Sequence, residues 1–182
     1  MNSKSKRILI ALASGLLFSV TTSFCQQKDT HDTQECKKFV QAFYAWNVPA
    51  SLKHGWSKAL RDRRQNFSRE LLILLEKDLK AQEKSPEEIV GLDFDPFLNS
   101  QDPGDRYSVG SVDIKSGRCW ANVYIVVEGQ RSAKAVVVPE LVFEDHHWIF
   151  TNFHYGKSEY SADENLMRTL RLLANDRQKQ SK

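Results

Sequence analysis

The spacing of apolar residues changes from a helical period to a two-residue period at about Tyr107, and this change constrains the fold of the 182-residue chain. Before Tyr107, apolar residues recur every three or four positions, as in helices that bury one face. After it, they alternate over four runs joined by short turns, which predicts an antiparallel meander. The sequence therefore predicts an α+β fold, in which N-terminal helices pack on an antiparallel sheet of about four strands and a C-terminal helix follows.

Capping residues and apolar stripes predict the helices. The first covers about Thr33 to Asn47 and is ended by Pro49, because proline has no N–H to donate. The second runs from Ser68, its N-cap, to about Gln82. The polar face of this helix is predicted to point to water: Glu76, Lys77, Asp78 and Lys80. A short helix follows Ser85, and a capping box predicts the last helix from Ser161 to about Asp176.

Four strands are predicted after the helices. They cover Tyr107 to Ile114, Cys119 to Val127, Ser132 to Phe143 and Trp148 to Tyr155. Pro139 lies inside the third of them. Because proline cannot donate to a ladder, this strand is predicted to contain a bulge or to lie at a sheet edge.

The first 25 residues have the pattern of a secretory signal peptide. Three basic residues precede an apolar run from Ile8 to Val20 that is too short to span a bilayer comfortably. Small residues then allow cleavage after Ser23, or alternatively after Cys25. The chain is accordingly predicted to be periplasmic or secreted, and an uncleaved anchor is the alternative.

The domain limits follow from this processing. Residues 26–32 are predicted to be a polar leader, residues 33–176 a single domain and residues 177–182 a frayed tail. A lipid anchor at Cys25 is an alternative that we do not favour, because Phe24 stands where lipidation motifs have a small residue.

Charge argues against one class of partner. The chain has 26 Lys and Arg residues and 23 Asp and Glu residues. Three of the basic residues and none of the acidic ones lie in the predicted signal peptide, so the mature chain has 23 of each. No excess of positive charge remains to attract a nucleic acid. We therefore expect no nucleic-acid partner, and no membrane contact apart from the anchor alternative.

Two cysteines remain clearly within the mature chain, Cys36 and Cys119. In an oxidising compartment they predict one disulfide between the first helix and the central strands. Two free buried thiols are the alternative. A metal site on this pair is not expected, since neither further cysteines nor suitably spaced histidines accompany it.

The segment Gly91–Asp105 links the two halves and is rich in turn formers. Its Asp and Asn side chains are predicted to form Asx-turns, in which the side chain bonds the backbone two residues on. Its side-chain oxygens invite comparison with a calcium loop, but Leu98 stands where that loop needs glycine and Gly104 where it needs glutamate. A structural loop that also contributes to binding is the favoured interpretation. Its predicted binding residues are Asp93, Asp95, Phe97, Asn99 and Asp102.

The common catalytic signatures are missing: the sequence has no phosphate-binding glycine loop, GxSxG, HExxH or CxxC. His146, His147 and His154 form a suggestive group, but strand parity places the last two on opposite faces, so no metal is predicted. Asp113, His154 and Tyr155 are weak candidates for acid–base catalysis. Trp148, His154 and Tyr155 are also predicted to contribute to binding.

Three segments together resemble a family of uncharacterised bacterial envelope proteins, domain of unknown function 3828. They are FVQAFYAW, EIVGLDFDPFLNSQDP and WIFTNFHY, and the resemblance spans roughly Cys36 to Leu173. The family is similar to the nuclear-transport-factor-two-like superfamily. That similarity implies a strongly curved, cone-like sheet with a pocket, and a homodimer formed through the sheet. Ala45 departs from the family, which often has an acidic residue there, and the resemblance transfers no catalytic residue.

These observations lead to one favoured function and two alternatives. We expect a binding or accessory module without catalytic activity or cofactor, which takes a small apolar molecule, a peptide or an envelope protein. The first alternative is a cone-fold isomerase, dehydratase or hydrolase with a pocket Asp or His. The second is an immunity or inhibitor protein that masks another protein's site.

Overall fold

A computed structural model describes residues 21–85, 90–156 and 164–180. The elements in chain order are α1 (Thr21–His54), α2 (Ser57–Asp62), a 3-10 turn (Arg64–Asn66), α3 (Arg69–Lys84), β1 (Arg106–Lys115), β2 (Arg118–Val127), β3 (Gln130–Arg131), β4 (Val138–Glu144), β5 (His147–Gly156), β6 (Glu164–Asn165) and α4 (Leu166–Gln180). This order confirms the predicted α+β fold, with N-terminal helices, an antiparallel sheet and a C-terminal helix.

The sheet is open and its strands run in the order β1-β2-β4-β5-β6, with β3 paired to β2. In the part of the chain that the structure describes, the sheet has six strands rather than about four, because β3 and β6 are additional two-residue strands. The predicted third strand is divided. Its first part is a loop that touches β2 at a bridge between Val123 and Val137, and β4 begins only at Val138.

Pro139 lies in the interior of the sheet, opposite Phe153 of β5. The ladder between β4 and β2 reaches Glu140 and stops one residue short of the proline, which has no N–H to donate. A bulge between Glu140 and Leu141 follows immediately. The extra residue of this bulge is Thr151 of β5, because Glu140 pairs with Asn152 and Leu141 with Phe150, so the strand that contains Pro139 does not itself bulge. The proline is accommodated where the ladder to β2 has ended.

Several predictions about helices α1 and α3 were wrong. Helix α1 begins at Thr21 rather than at about Thr33. Helix α1 does not end at Pro49 but continues to His54. The proline removes one hydrogen bond, and the buried residues Val48 and Ser51 hold this part of the helix against the rest of the protein. Asp78 does not face water: it is fully buried, because Arg177 of α4 pairs with it at 2.8 Å.

Helix α4 begins and ends later than predicted. It starts at Leu166, where the side chain of Asn165 accepts a hydrogen bond from the Arg168 N–H at 3.0 Å and so acts as the N-cap. It extends to Gln180. The predicted capping residues Ser161 to Asp163, the short helix at residues 86–89 and residues 1–20 of the predicted signal peptide lie outside the described residues.

The core is an aromatic cluster, which we call the phenylalanine cluster, between the helices and one face of the sheet. Neighbouring ring centroids are 4.7 to 5.9 Å apart. Its members are Phe39, Phe43, Phe67, Phe97, Phe150 and Phe153. Cys36 of α1 forms a disulfide with Cys119 of β2 beside this core, with the two Cα atoms 6.7 Å apart.

Helix α1 also covers an edge of the sheet. The side chain of Gln41 donates to the Tyr107 carbonyl at 3.3 Å and accepts from the Val109 N–H at 2.9 Å. The amide thus pairs with the outer edge of β1 as a neighbouring strand would, which protects this edge from further pairing. Among the described residues, no helix is long and apolar enough to cross a membrane.

Candidate functional site

The turn at residues 95–98 is the part of the Gly91–Asp105 segment that the fold holds most firmly. The Asp95 Oδ1 atom accepts hydrogen bonds from the backbone N–H groups of Phe97 at 2.8 Å and Leu98 at 3.1 Å. This is the Asx-turn that the sequence predicts. The Asp95 Oδ2 atom accepts from the hydroxyl of Ser51 on α1, which joins the turn to the helix.

Three tyrosine hydroxyls hold the carbonyl groups of the same turn. Tyr155 donates to the Pro96 carbonyl at 2.9 Å, Tyr44 to the Phe97 carbonyl at 2.9 Å and Tyr107 to the Leu98 carbonyl at 3.3 Å. These tyrosines come from β5, α1 and β1. Three separate elements therefore fix three consecutive carbonyls, and we call this arrangement the tyrosine clamp.

Burial perturbs the acidity of these groups. It raises the pKa of Asp95. The hydrogen bonds that this carboxylate accepts from Ser51, Phe97 and Leu98 lower the pKa but do not cancel the effect of burial. Burial also raises the pKa of Tyr44 and of Tyr155 well above the usual range, and the nearby Asp95 carboxylate adds to the effect. For Tyr107, burial and then Asp95 raise the pKa to about 12.

The predicted binding residues of the segment divide into an inner and an outer group. Asp95 is buried, and Phe97 is fully buried in the phenylalanine cluster. Asp93, Asn99 and Asp102 are exposed. The Asn99 side chain donates to the Val136 carbonyl at 3.0 Å, and the Asp93 carboxylate accepts from Gln101 at 3.0 Å. Asp95 and Phe97 therefore order the segment from inside, whereas the outer group remains accessible.

A cleft of about 440 Å³, the loop cleft, separates the C-terminal end of α1 from the segment. Its lining residues are Ser51, Leu52, Gly55, Trp56, Leu92, Asp93, Phe94, Asp95, Ser100, Gln101, Asp102 and Pro103. A second space of about 390 Å³, the helix–strand cavity, lies between α1 and the start of β1. Its lining residues are Gln41, Tyr44, Ala45, Val48, Pro49, Leu52, Asp105, Arg106 and Tyr107.

Leu52 lines both spaces, and its side chain is 57% exposed. Leu52 is thus a large apolar side chain that faces solvent between two concave surfaces. The sequence indicates the loop but not Leu52, because the position falls after Pro49, where the predicted helix ends.

His154 lines a different cleft, of about 660 Å³, which we call the arginine cleft. The His154 Nε2 atom is 3.0 Å from the Glu140 carboxylate, and its ring lies 4.9 Å from that of Trp120. Glu140 also pairs with Arg118 and accepts from the Thr151 hydroxyl at 3.3 Å. The lining residues are Ser68, Glu70, Arg118, Glu140, Thr151, Asn152, His154, Asn165, Met167, Arg168 and Arg171.

Sequence reasoning identified His154 in this cleft but missed Glu140 and the arginines. Glu140 lies opposite the bulge of β5, whose extra residue is Thr151, and a bulge changes which side chains share a face. Arg168 and Arg171 are three positions apart on α4, a spacing that places them on one side of a helix. That spacing is a visible signal, although it does not reveal what the helix faces.

The remaining predicted site residues do not assemble around one centre. Asp113 is exposed on β1, three strands away from His154 on β5. Trp148 is buried, with its ring 5.2 Å from that of Phe143. His146 lies in an exposed turn. Across residues 21–85, 90–156 and 164–180, no group of three His, Cys, Asp or Glu side chains is arranged to hold a metal ion.

Comparisons of this chain with protein-family models, with curated proteins and with solved structures found no match.

Proposed function

We propose that the protein is an exported binding or accessory module without catalytic activity. It takes a small apolar molecule, a peptide or an envelope protein at the loop cleft and the adjoining helix–strand cavity. Export rests on the signal-peptide pattern of residues 1–25. The binding site rests on the arrangement around Leu52.

The position of Leu52 supports this proposal most directly. Concave sites of a few hundred cubic ångströms with apolar walls and a few polar groups are the usual form of small-ligand sites. Here an exposed leucine stands between two such spaces, and Trp56 and Phe94 extend the apolar wall of the loop cleft. The polar side chains of Asp93, Gln101 and Asp102 also line this cleft and offer hydrogen-bonding groups that can orient a bound ligand.

The tyrosine clamp supports a preformed site rather than a mobile loop. Because the turn at residues 95–98 is bound through both its N–H and its carbonyl groups, the wall of the cleft needs little ordering when a ligand binds. Less ordering means that less of the interaction free energy is lost on binding.

The neutral apolar dye N-phenyl-1-naphthylamine tests the proposal through its fluorescence. We expect saturable binding to the mature, disulfide-bonded chain. Leu52→Asp should weaken it about tenfold or more, because burying a leucine contributes about 1.5–3 kcal/mol. Leu172→Asp is the matched control, since Leu172 is 53% exposed on α4 and lies outside both spaces. Equal weakening by both substitutions would contradict the assignment.

Native mass spectrometry of protein released from cells without reductant extends the test to natural occupants. Extra mass that is retained by the wild type and lost in Leu52→Asp supports a small ligand. A co-eluting protein lost in the same variant supports a protein partner. The absence of both retained mass and saturable dye binding would overturn the proposal.

One observation favours the second candidate function, an enzyme. His154 and Glu140 form a histidine–carboxylate pair beside a cleft, and such pairs orient a general base. A hydrolysis screen with p-nitrophenyl esters and phosphates tests this alternative. Activity that falls at least about a hundredfold in a folded His154→Gln variant would support an enzyme, and activity unchanged by the substitution would count against it.

A further inference from the structure

We infer that the ligand of the loop cleft is a small organic amine, in which a positively charged ammonium group is attached to an apolar body. The inference rests on the proposed function, because it concerns the same cleft, and it adds the charge of the ligand. The volume and the apolar walls of the cleft would by themselves accept many small apolar molecules. The acidic and aromatic side chains that line it favour those that carry a cation.

The charged side chains that line the loop cleft are all acidic. Among the described residues, the lining contains Asp93, Asp95 and Asp102 but no lysine, arginine or histidine. Lys53 and His54 are exposed on the adjoining turn of α1, and neither belongs to the lining. A cleft that is lined by charges of one sign concentrates ions of the opposite sign. The loop cleft therefore attracts a cation and repels an anion.

These carboxylates are bonded only by neutral donors. Asp93 accepts from the side chain of Gln101, and Asp95 accepts from the Ser51 hydroxyl and from two backbone N–H groups. Within residues 21–85, 90–156 and 164–180, none of the three aspartates forms an ion pair. Asp95 is only 7% exposed, and buried charges are normally paired. An ammonium group in the cleft would supply the cation that the chain does not provide.

The arrangement of the carboxylates suits an organic cation better than a metal ion. A metal ion needs several ligands that converge within about 2.6 Å of one point. In the part of the chain that the structure describes, no three His, Cys, Asp or Glu side chains are placed in this way. An ammonium group has three N–H donors and does not require such convergence. Negative charge that is distributed over the lining is therefore sufficient to bind it.

Two aromatic side chains complete the site. Trp56 and Phe94 line the same cleft, and both are partly exposed. The face of an aromatic ring attracts an ammonium group, most strongly when the ring is that of tryptophan. Each ring packs against another ring of the fold: Trp56 lies 6.4 Å from Phe97, and Phe94 lies 5.6 Å from Tyr155. The two rings thus offer apolar contact to the body of the ligand and an electrostatic attraction to its charge.

A matched pair of ligands tests the inference. 1-Naphthylmethylamine is an ammonium ion at pH 7, and 1-naphthalenemethanol is a neutral analogue of nearly the same shape. Calorimetric titration of the mature, disulfide-bonded chain at low ionic strength measures both affinities. We expect the amine to bind about tenfold more tightly than the alcohol, the usual effect of one hydrogen bond to a charged group. Equal affinities would overturn the inference.

Substitution of the accessible aspartates locates the preference. The double variant Asp93→Asn, Asp102→Asn should reduce it to about twofold or less and should leave the affinity for the alcohol unchanged. Asparagine at position 93 keeps an acceptor for Gln101. The matched control is Glu144→Gln, Asp145→Asn, which removes two charges from exposed positions outside the cleft. Equal loss of the preference in both double variants would show a general charge effect and would overturn the inference.

The outcomes separate this inference from the proposed function. Saturable binding of N-phenyl-1-naphthylamine together with equal affinities for the amine and the alcohol would overturn the inference alone. The absence of binding by the dye, the amine and the alcohol would overturn both. An amine preference that depends on Asp93 and Asp102 supports both.

A further probe distinguishes the sources of the ammonium group. The peptide acetyl-Gly-Lys-Gly-amide presents the group on a lysine side chain, whereas 1-naphthylmethylamine presents it on a small molecule. Weaker competition by the peptide than by the amine supports a small-molecule ligand. Stronger competition by the peptide would overturn that assignment.

Discussion

The carboxylate of Asp78 on α3 is fully buried and pairs at 2.8 Å with the guanidinium of Arg177, 99 positions further along the chain. The same guanidinium donates to the Val90 carbonyl at 2.7 Å, and Asp78 accepts from the Leu92 N–H at 2.9 Å. This pair therefore ties both the last helix and the start of the Gly91–Asp105 segment to α3.

Arg177→Ala is expected to destabilise the protein by about 3 kcal/mol, because it leaves an uncompensated charge in the interior. Urea denaturation measures the change. Lys179→Ala is the control: Lys179 pairs with Asp176 at 3.0 Å at an exposed position, and its loss should change the free energy of unfolding by less than about 0.5 kcal/mol. Equal losses in the two variants would contradict a structural role for the buried pair.

Asp95→Asn is expected to remove a pH dependence of stability. Because burial raises the pKa of Asp95 above its ordinary 3.8, the folded state binds this proton more tightly than the unfolded state. Its contribution to stability is therefore present at low pH and is lost as pH rises through the folded pKa. An asparagine keeps the Oδ1 acceptor for Phe97 and Leu98 and does not ionise.

Urea denaturation of both proteins at several pH values between 4 and 7 tests this expectation. The free energy of unfolding of the wild type, minus that of Asp95→Asn, should fall as the pH rises. A constant difference would mean that Asp95 does not titrate differently in the folded state. Asp95→Ala, which also loses the Asx-turn, should be less stable than Asp95→Asn throughout.

The tyrosine clamp predicts alkaline unfolding. Folded Tyr44 and Tyr155 keep their protons well above pH 10, and Tyr107 to about 12, whereas unfolded tyrosines ionise near 10. Stability is therefore expected to fall as pH rises above 10. Tyr44→Phe removes one of these protons. The free energy of unfolding of this variant should therefore fall less steeply above pH 10, by up to about 1.4 kcal/mol per pH unit.

The same substitution should cost about 1–3 kcal/mol at neutral pH, because the buried Phe97 carbonyl loses its donor. Phenolate absorbance and circular dichroism, recorded together, provide the measurement. If the wild type gave a full phenolate signal near pH 10 while it was still folded, the clamp would not protect these hydroxyls.

The Cys36–Cys119 disulfide closes a loop with a sequence separation of 83. Loss of the bond in a Cys36→Ala, Cys119→Ala double variant is expected to cost about 2–4 kcal/mol. Reductant should lower the stability of the wild type similarly and should leave the double variant unaffected. A wild type with equal stability in both redox states would argue that the bond contributes nothing to folding.

Local rules were sufficient wherever a few neighbouring residues determine the structure. Ser68 caps α3 by accepting from the Leu71 N–H at 3.3 Å, as its position before an apolar stripe predicts. The alternating runs give the four long strands, and Ser116 and Gly117 take the positive φ angles of the first hairpin turn. The Asx-turn at Asp95 is likewise visible in the sequence, because its bonds span only three residues.

Tertiary structure decided what these elements face. Asp78 occupies a polar position of an amphipathic helix, and only a cation that arrives from α4 makes its burial favourable. Phe97 lies in a loop by sequence, yet the tyrosine clamp places it inside the core. Glu140 of β4 contacts His154 of the adjacent strand β5, and the bulge between these strands sets the register that brings the two side chains together. In each case the partner is distant in the chain, and short-range periodicity carries no information about it.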